Sequence, residues 1–548
     1  MFARRLAFAL LAAVVAAALT LAGAAVLGAE GWSAWKLGLL ACWAASTPWT
    51  GICAANGIIG FAILVGTRDP VGAVFPESDA AVPLPPIAIA LTVREEDVRE
   101  ALRPVRRLLD ELDAAGRTFG VFILSDTESP DGIAREEDAV AAFRAADADP
   151  GRIRYRRRAE NRGFKAGNVM EFLNHHAAGF EFFLALDADS EMTASAVLRM
   201  ARAMAADPAL GIVQHLTVGR PAAAAFPRLF QFGMRAGMRV WATGQAWWQG
   251  DEGPYWGHNA LVRVAPFRAH CRLETLPGGA TILSHDQVEA ARLCAAGWAV
   301  RVLPEEAGSQ EAHPPALPEH MRRELRWLAG NLQYRHLLFL PGLRPMGRWQ
   351  LIQAIVLFGG APLYLGMLIF AAIGAATGGS AAAGATAALI LAWMAAIYAP
   401  KLAGYAQVLA TPELRARYGG AAPFAAGAAL EFAFSLLLDP IQIVAKTLCM
   451  LRLALGSGPG WTPQNRADRG VTWAEAARLL WPQTLIGIAA FACFAAASWT
   501  AVLLALPLAG GLLVAIPFCV LTSAPRAGAW LREAGLAAIP EETPIRPA

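Results

Sequence analysis

Two long apolar blocks flank a stretch of mixed composition. Residues 1–66 and 350–525 are almost entirely apolar, while 85–348 alternates short apolar runs with amphipathic ones. A membrane helix needs about 20 apolar residues in succession. By that measure 6–29 and 37–65 predict two helices before the mixed stretch. Segments 350–375, 381–400, 421–438, 440–457, 484–505 and 507–524 predict six more after it, about eight in all. Segment 440–457 carries Lys446 and Arg452, so it predicts an interfacial helix or one lining a polar cavity. With Glu431 and Asp439 these residues mark a candidate polar path. The expected domains are 1–70 (two membrane helices), 85–335 (a soluble domain), 336–348 (an amphipathic joining segment), 350–525 (the second membrane part) and a tail, 526–548.

Within the mixed stretch, "IAIALTV" (87–93), "VFILSDT" (121–127), "RIRYRRR" (152–158), "FEFFLALDAD" (180–189), "GIVQHLTV" (211–218) and "WAVRVLPE" (298–305) predict strands. Helical patterns lie between them, through Leu112, near 134–146, at 166–176 and at 193–205. This alternation predicts a mostly parallel, Rossmann-like α/β sheet with helices on both faces. Such sheets bind ligands beyond the carboxyl ends of their strands. Glu95 and Glu96 follow the first strand, Asp126 ends the second, and Asp187 and Asp189 end the fourth. Two carboxylates closing a buried strand repel and are costly to desolvate, so they call for a cation. The alternative is a polar turn, where Asp is common. Mg²⁺ or Mn²⁺ prefers one or two carboxylates together with phosphate oxygens, so the pair is the candidate metal site. No GxGxxG follows the first strand and no GxxxxGK[ST] occurs, which argues against dinucleotide and P-loop enzymes.

Composition agrees with a membrane protein. Of 548 residues, 56% are hydrophobic and 17% charged, against about 25% charged in soluble domains. Basic residues bias the topology. Arg4 and Arg5 precede the first helix; Lys401, Arg415 and Arg417 share one loop, Arg466, Arg469 and Arg478 the next, and Arg526 and Arg532 the tail, while Lys36 lies opposite. The turns near Gly378, Asp439 and Pro507 carry none. Both termini and 85–348 are therefore expected in the cytoplasm. The first apolar run exceeds the 7–15 residues of a signal peptide, so it is read as an uncleaved anchor. The seven cysteines form no CxxC pair, and a net charge of +3 gives no nucleic-acid footprint.

Several stretches carry a family resemblance: "ILSD" (123–126), "YRRRAENRGFKAGN" (155–168), "LDADS" (186–190), "YWGHNALVRV" (255–264), "ILSHDQVEA" (282–290) and "RRELRWLAGN" (322–331). The chain resembles glycosyltransferase family 2, and within it the bacterial synthases of osmoregulated periplasmic glucans. The resemblance implies a GT-A domain set in a multi-pass membrane domain of the inner membrane. The implied activity is a processive, inverting glucosyltransferase that builds a β-1,2-linked glucan from UDP-glucose and passes it across the bilayer. It assigns Asp126 and Glu96 to the uridine, although Arg94 and Glu95 replace the usual Tyr-Asn before Glu96. It assigns Lys165 to the phosphates, Asp187 and Asp189 to Mg²⁺ or Mn²⁺, and Asp286 to the general base. Arg323, in place of the family's Gln, opens the motif that continues to Arg326 and Trp327. Such transfer needs a base within about 2.6–3.2 Å of the attacking hydroxyl and positive charge on the leaving diphosphate. Arg326 is assigned part of that charge, and Trp327 and Trp256 offer flat faces to a sugar ring.

"WWQGDEGPYW" (247–256) is read as a sugar-binding loop, with Trp248, Glu252, Tyr255, Trp256, His258 and Asn259 toward the acceptor glucan. "RIRYRRR" is read as a strand facing anionic lipid, and loop 458–481 as a mobile lid over the nucleotide. Acyl carrier protein and periplasmic glucan-processing proteins are partners implied by relatives. The competing functions are a cellulose- or hyaluronan-like synthase and a catalytically inactive, glycan-binding membrane protein.

Overall fold

The computed structural model describes residues 1–76, 82–379, 382–458 and 467–543. The soluble part holds ten strands: β1 (Ile87–Val93), β2 (Gly120–Ser125), β3 (Ile153–Arg157), β4 (Phe182–Asp187), β5 (Glu191–Met192), β6 (Leu210–His215), β7 (Val218–Gly219), β8 (Ala260–Arg263), β9 (Ala299–Leu303) and β10 (Ser309–Glu311). Seven form one sheet in the order β3-β2-β1-β4-β8-β6-β9, and β5-β10-β7 form a small second sheet. All pairs in the large sheet are parallel except those of β8, which runs antiparallel to β4 and β6. This is the mixed sheet of a GT-A-like domain.

The central strands are apolar on both faces because both faces are covered. Ile87, Ile89, Leu91 and Leu184 pack toward helices Val98–Ala114 and Ala194–Ala206. Ala88, Ala90 and Phe183 pack on the opposite side with Phe172 and Phe267. The register sets Thr92 beside Asp187, so β1 and β4 end at one rim.

All six expected strands form. β8 was not expected, since four residues inside "YWGHNALVRV" are too short to show a period. Nor was the 25-residue helix Ala225–Gln249, whose Arg228, Arg235 and Arg239 are buried charges that disguise an inward face. This helix includes Trp247 and Trp248, so the first half of the expected sugar-binding loop is helical.

Five helices are long and apolar enough to cross a membrane: Phe2–Gly28, Ala34–Gly66, Pro345–Ala376, Ala421–Ala454 and Trp473–Ala497. Two bent pairs, Ala383–Ile397 with Ala399–Ala410 (73°) and Trp499–Leu513 with Ala515–Ser523 (61°), raise the number to at most seven among the described residues. The count differs from eight because 421–438 and 440–457 are one helix of 34 residues with Pro440 inside it. Asp439 is therefore no turn residue; it accepts a hydrogen bond from the Tyr398 hydroxyl at 2.5 Å. Pro507 likewise sits within a helix, and the chain breaks at Ser498 and Val514 instead. The sidedness read from basic loops loses both of those turns as support.

The expected polar path also divides. Glu431 is locked to Lys401 at 2.6 Å and to Tyr405 and Ser435. Arg452 is exposed near the helix end. Asp439 and Lys446 line a cavity. Residues 334–336 form a single 3-10 turn, 337–344 are not helical, and helix Pro345–Gly359 begins inside the joining segment.

The expected tail is docked through its described residues. Arg228 meets Glu542 at 2.5 Å and Arg235 meets Glu541 at 2.6 Å. Arg235 and Arg239 also converge on Glu306, just after β9. Burial pushes the Glu306 carboxyl up, but the two guanidinium groups outweigh it and hold it at about 2. Its folded pKa lies below the ordinary value near 4.5, so its contribution to stability is complete above that value and is lost as pH falls toward 2. Glu306→Gln is expected to destabilise by roughly 3–5 kcal/mol at neutral pH, because it strands buried arginines. It should also flatten the fall of Tm with acid that wild type shows below pH 5. Thermal denaturation of detergent-solubilised protein across pH 3–8 checks both.

Candidate active site

The rim where β1 and β4 end gathers the expected acids around a lysine. Thr92 Oγ1 donates to Asp187 Oδ1 at 3.2 Å, and the Asp187 amide donates to Ser190 Oγ at 3.0 Å. Lys165 pairs with Asp187, and its Nζ also donates to the Gly257 carbonyl at 2.8 Å. Lys165 is the second residue of helix Phe164–His175, delivered by a turn in which Gly163 and Phe164 both have positive φ. Gly167 in the same motif must be glycine, since a Cβ there would lie 2.0 Å from the Arg162 carbonyl oxygen.

Gly257 (φ +84°) is where the site closes. A Cβ placed on it would lie 3.5 Å from Asp286 Cβ, 3.7 Å from His285 Cε1 and 3.9 Å from Lys165 Nζ. One glycine thus holds the expected base beside the lysine that pairs with the expected metal ligand. Asp286 is the first residue of helix Asp286–Ala295. The buried Tyr255 and Tyr334 lie close by; burial raises both hydroxyls well above their usual range, with help from Glu289 and Asp286.

Glu311 on β10 joins the rim, and sequence reasoning missed it. Its carboxylate is 3.4 Å from His258 Nε2. Burial, reinforced by Asp189 and Asp187, raises its pKa against the pull of His258 and Arg323. A three-residue strand leaves no periodic signal, so nothing in the sequence pointed to it. Arg323, Arg326 and Trp327 lie on helix Leu317–Gln333. The Arg323 guanidinium is buried 4.6 Å from the Trp327 ring centroid, while the Trp327 side remains 43% exposed and offers an open face. Glu324 on the same helix meets Lys446 at 2.9 Å. Burial works against ionisation of Glu324, but Lys446 and its neighbours hold it at about 2.

Other expected residues fall elsewhere. Trp248 is buried, stacked on Phe8 at 4.0 Å, with its Nε1 donating to Asn56 Oδ1 at 3.0 Å. It belongs to the packing of the N-terminal helices. Glu252 pairs with Arg5 at 3.0 Å, again at the first helix. Tyr255 is a core residue edge-on to Phe267. Trp256 is half-buried, its amide bonded to Gln214. Asn259 is fully buried with φ +49°, and its Nδ2 donates to Ser309 Oγ at 3.0 Å and the Gln310 carbonyl at 3.2 Å. It anchors the strand that carries Glu311. Of the six residues expected to face the acceptor, His258 meets the acidic rim through Glu311.

Where the resemblance expected nucleotide contacts, Asp126 forms a buried two-point pair with Arg158, at 2.6 and 2.7 Å. Arg158 also donates to the carbonyls of Arg162 (2.9 Å) and Phe164 (3.0 Å), so the pair organises the loop that delivers Lys165. Glu96 accepts from the Arg94 amide. Glu95, with φ +59°, accepts from the amides of Glu128 and Ser129 at 2.8 Å each. Burial opposes its charge, but hydrogen bonds from Ser129 and Glu128 keep its pKa low. The basic strand is not a free lipid-facing surface: Arg156 pairs with Glu171 at 2.5 Å and Arg158 with Asp126.

Among the described residues no group of three or more His, Cys, Asp or Glu forms a complete metal cage. Asp187 and Asp189 instead fit a divalent ion that takes its remaining ligands from phosphate and water. Residues 459–466 of the expected lid lie outside the described residues. Beyond them Arg469 is tied to Glu319 at 2.8 Å and to Glu475 at 2.6 Å.

Comparison with known proteins matches the glycosyl transferase family 2 model over residues 88–271 and the glycosyl transferase family group 2 model over 182–404. A glucans biosynthesis glucosyltransferase H of Xanthomonas campestris pv. campestris is 31% identical over 527 residues, covering 90% of this chain and 80% of its own. Its Caulobacter vibrioides counterpart is 33% identical over 523 residues, covering 89% and 77%. A mannosyltransferase from Pyrobaculum calidifontis, solved with GDP-Man and Mn²⁺, aligns at 14% identity with a TM-score of 0.41, covering 65% of this chain and 99% of its own.

Arg158→Met leaves the Asp126 carboxylate buried and unpaired, with an expected cost of roughly 3–5 kcal/mol. It should also loosen the Lys165 loop. A lower Tm, together with weaker UDP binding by calorimetry, is the expected result.

Proposed function

Since the chain belongs to the glucans biosynthesis glucosyltransferase H family within glycosyltransferase family 2, we propose that it moves glucose from UDP-glucose onto a growing glucan in a processive, inverting reaction. The observation that carries this is the contact around Gly257, which sets Asp286 beside Lys165 and Asp187. The Asp286 carboxylate accepts the proton of the acceptor hydroxyl as that oxygen attacks the anomeric carbon. The bond to the UDP oxygen breaks in the same step, which inverts the carbon. Lys165 and Arg326, on two separate motifs, are the residues assigned to the developing charge of the diphosphate. Asp187 and Asp189 are the residues that would hold Mg²⁺ or Mn²⁺, whose charge favours departure of the diphosphate. The open face of Trp327 suits a sugar ring at the acceptor position.

Two finer points belong to the same proposal. The β-1,2 linkage follows from the family resemblance alone. Passage of the product across the inner membrane, from a cytoplasmic catalytic domain, draws support from a cavity of about 340 Å³ among the membrane helices. Trp49, Tyr364, Trp393 and Tyr398 line it with Asp439 and Lys446. Aromatic faces beside a few charged groups suit a polymer that is apolar on its ring faces and polar at its rims. Through the Glu324–Lys446 pair, the cavity wall touches the helix of Arg323, Arg326 and Trp327.

Asp286→Asn in detergent-solubilised protein is expected to lower kcat for UDP release from UDP-glucose by about 10²–10⁴-fold, with UDP affinity within about threefold. Asp187→Asn should instead abolish donor binding. Methylation analysis of the product reads the linkage, and 1,4 or alternating 1,3/1,4 bonds would replace this assignment with a cellulose- or hyaluronan-like one. UDP binding with no turnover in wild type would leave the inactive glycan-binding reading.

A further inference from the structure

His285 immediately precedes Asp286 and is bonded away from it. Its Nδ1 meets Glu289 Oε2 at 2.8 Å, one turn further along the same helix. Glu289 is buried, at 2% exposure, and the imidazole is also largely covered. The Cε1 corner of the ring, next to Nδ1, lies on the Gly257 side, 3.7 Å from where a Cβ on that residue would be. The ring therefore stands between the base, the glycine and the Lys165 side chain that bonds the Gly257 carbonyl.

We propose that His285 and Glu289 form a positioning dyad that orients the Asp286 carboxylate for proton acceptance. The inference rests on the assignment of Asp286 as base. Geometry makes the case in two steps. Glu289 fixes the ring through Nδ1, and the ring fixes the peptide from which the Asp286 side chain departs, because the two residues are adjacent. The ring also abuts Gly257, so base and substrate-side loop share one rigid contact. A buried carboxylate on Nδ1 favours the imidazolium form, which sets a positive charge next to the base.

The charged and titratable groups around the ring agree in direction. Burial lowers the His285 pKa, but Glu289 and Asp286 outweigh it and Lys165 opposes only in part, so the net shift is upward. From other elements, Tyr255 and Tyr334 face Glu289 and Asp286 as neutral hydroxyls. Cys271 faces Glu289, its Sγ donating to the Glu289 carbonyl at 3.5 Å, and stays a thiol because burial raises it. Loss of the imidazolium removes the one cation directly preceding Asp286.

The test is the pH profile of kcat for UDP release in full-length, detergent-solubilised protein, for wild type, Asp286→Asn, His285→Gln and Glu289→Gln. Both dyad variants are expected to move the acidic limb upward by about one pH unit. They should lower kcat at its plateau about tenfold through misplacement of the base, with the KM for UDP-glucose within about twofold. Glu289→Gln keeps the shape of the side chain and serves if His285→Gln does not fold. An unmoved limb in a folded dyad variant overturns the inference, as does a rise in KM at constant kcat. Turnover surviving in Asp286→Asn would instead overturn the assignment of the base, so the two failures are told apart.

Discussion

The site depends on how a buried strand can end in carboxylates. β4 is sealed on both faces up to its last residue, Asp187, whose half-buried carboxylate calls for a counter-charge. Lys165 provides that charge, and the Lys165 ammonium is held in turn by the Gly257 carbonyl. The rest follows from this one requirement. The Gly163 turn and the Asp126–Arg158 pair exist to bring Lys165 to the rim. Gly257 is glycine because its φ of +84° strains any side chain, and Asp286, His285 and Lys165 surround it. A lysine on a strand-end aspartate is also a replaceable arrangement. Asp187 would hold a divalent ion in its place, and Lys165 would then be available to phosphate.

A second network of buried charge joins the soluble and membrane parts. Arg235 and Arg239 on helix Ala225–Gln249 share Glu306, and Arg239 reaches Gln407 on the membrane side. Helix Ala421–Ala454 packs its Glu431 so closely on the same helix that Gly233 has no room for a Cβ. The Glu541 and Glu542 carboxylates complete the arginines from the C-terminal side. Single buried charges are costly and their pairs directional, so such a network fixes one docking geometry more firmly than apolar packing would. This matters for a domain whose site must stay aligned with helices that cross a bilayer.

The legibility of the chain follows from physical period and length. β1, β2 and β4 were readable because buried parallel strands are unbroken apolar runs bounded by polar turns. Asp187, Lys165 and Asp286 were readable because they sit at element ends inside dense motifs. β8 and β10 were not, being too short to carry a period, and Glu311 was lost with β10. Trp248 misled because an aromatic near glycines and acids looks like a sugar platform, whereas its indole completes the packing of Phe8 and Asn56. Ala421–Ala454 misled in the opposite sense. Asp439 before Pro440 reads as a turn, yet Tyr398 satisfies the carboxylate within a continuous helix.

Helix Leu317–Gln333 connects the two halves of the argument. Arg323 and Trp327 stack on it at the acidic rim, while Glu324 turns to Lys446 in the cavity wall. Adjacent residues on a helix point about 100° apart, so one short motif serves both faces by geometry alone. Glu324 is held ionised despite burial, and a buried ion pair of this kind tolerates little sliding. The helix is therefore a rigid spacer between the rim where a sugar bond would form and the aromatic cavity beyond it. Under the proposal that product passes onward, those two points need a constant separation, and this helix is the element that would set it.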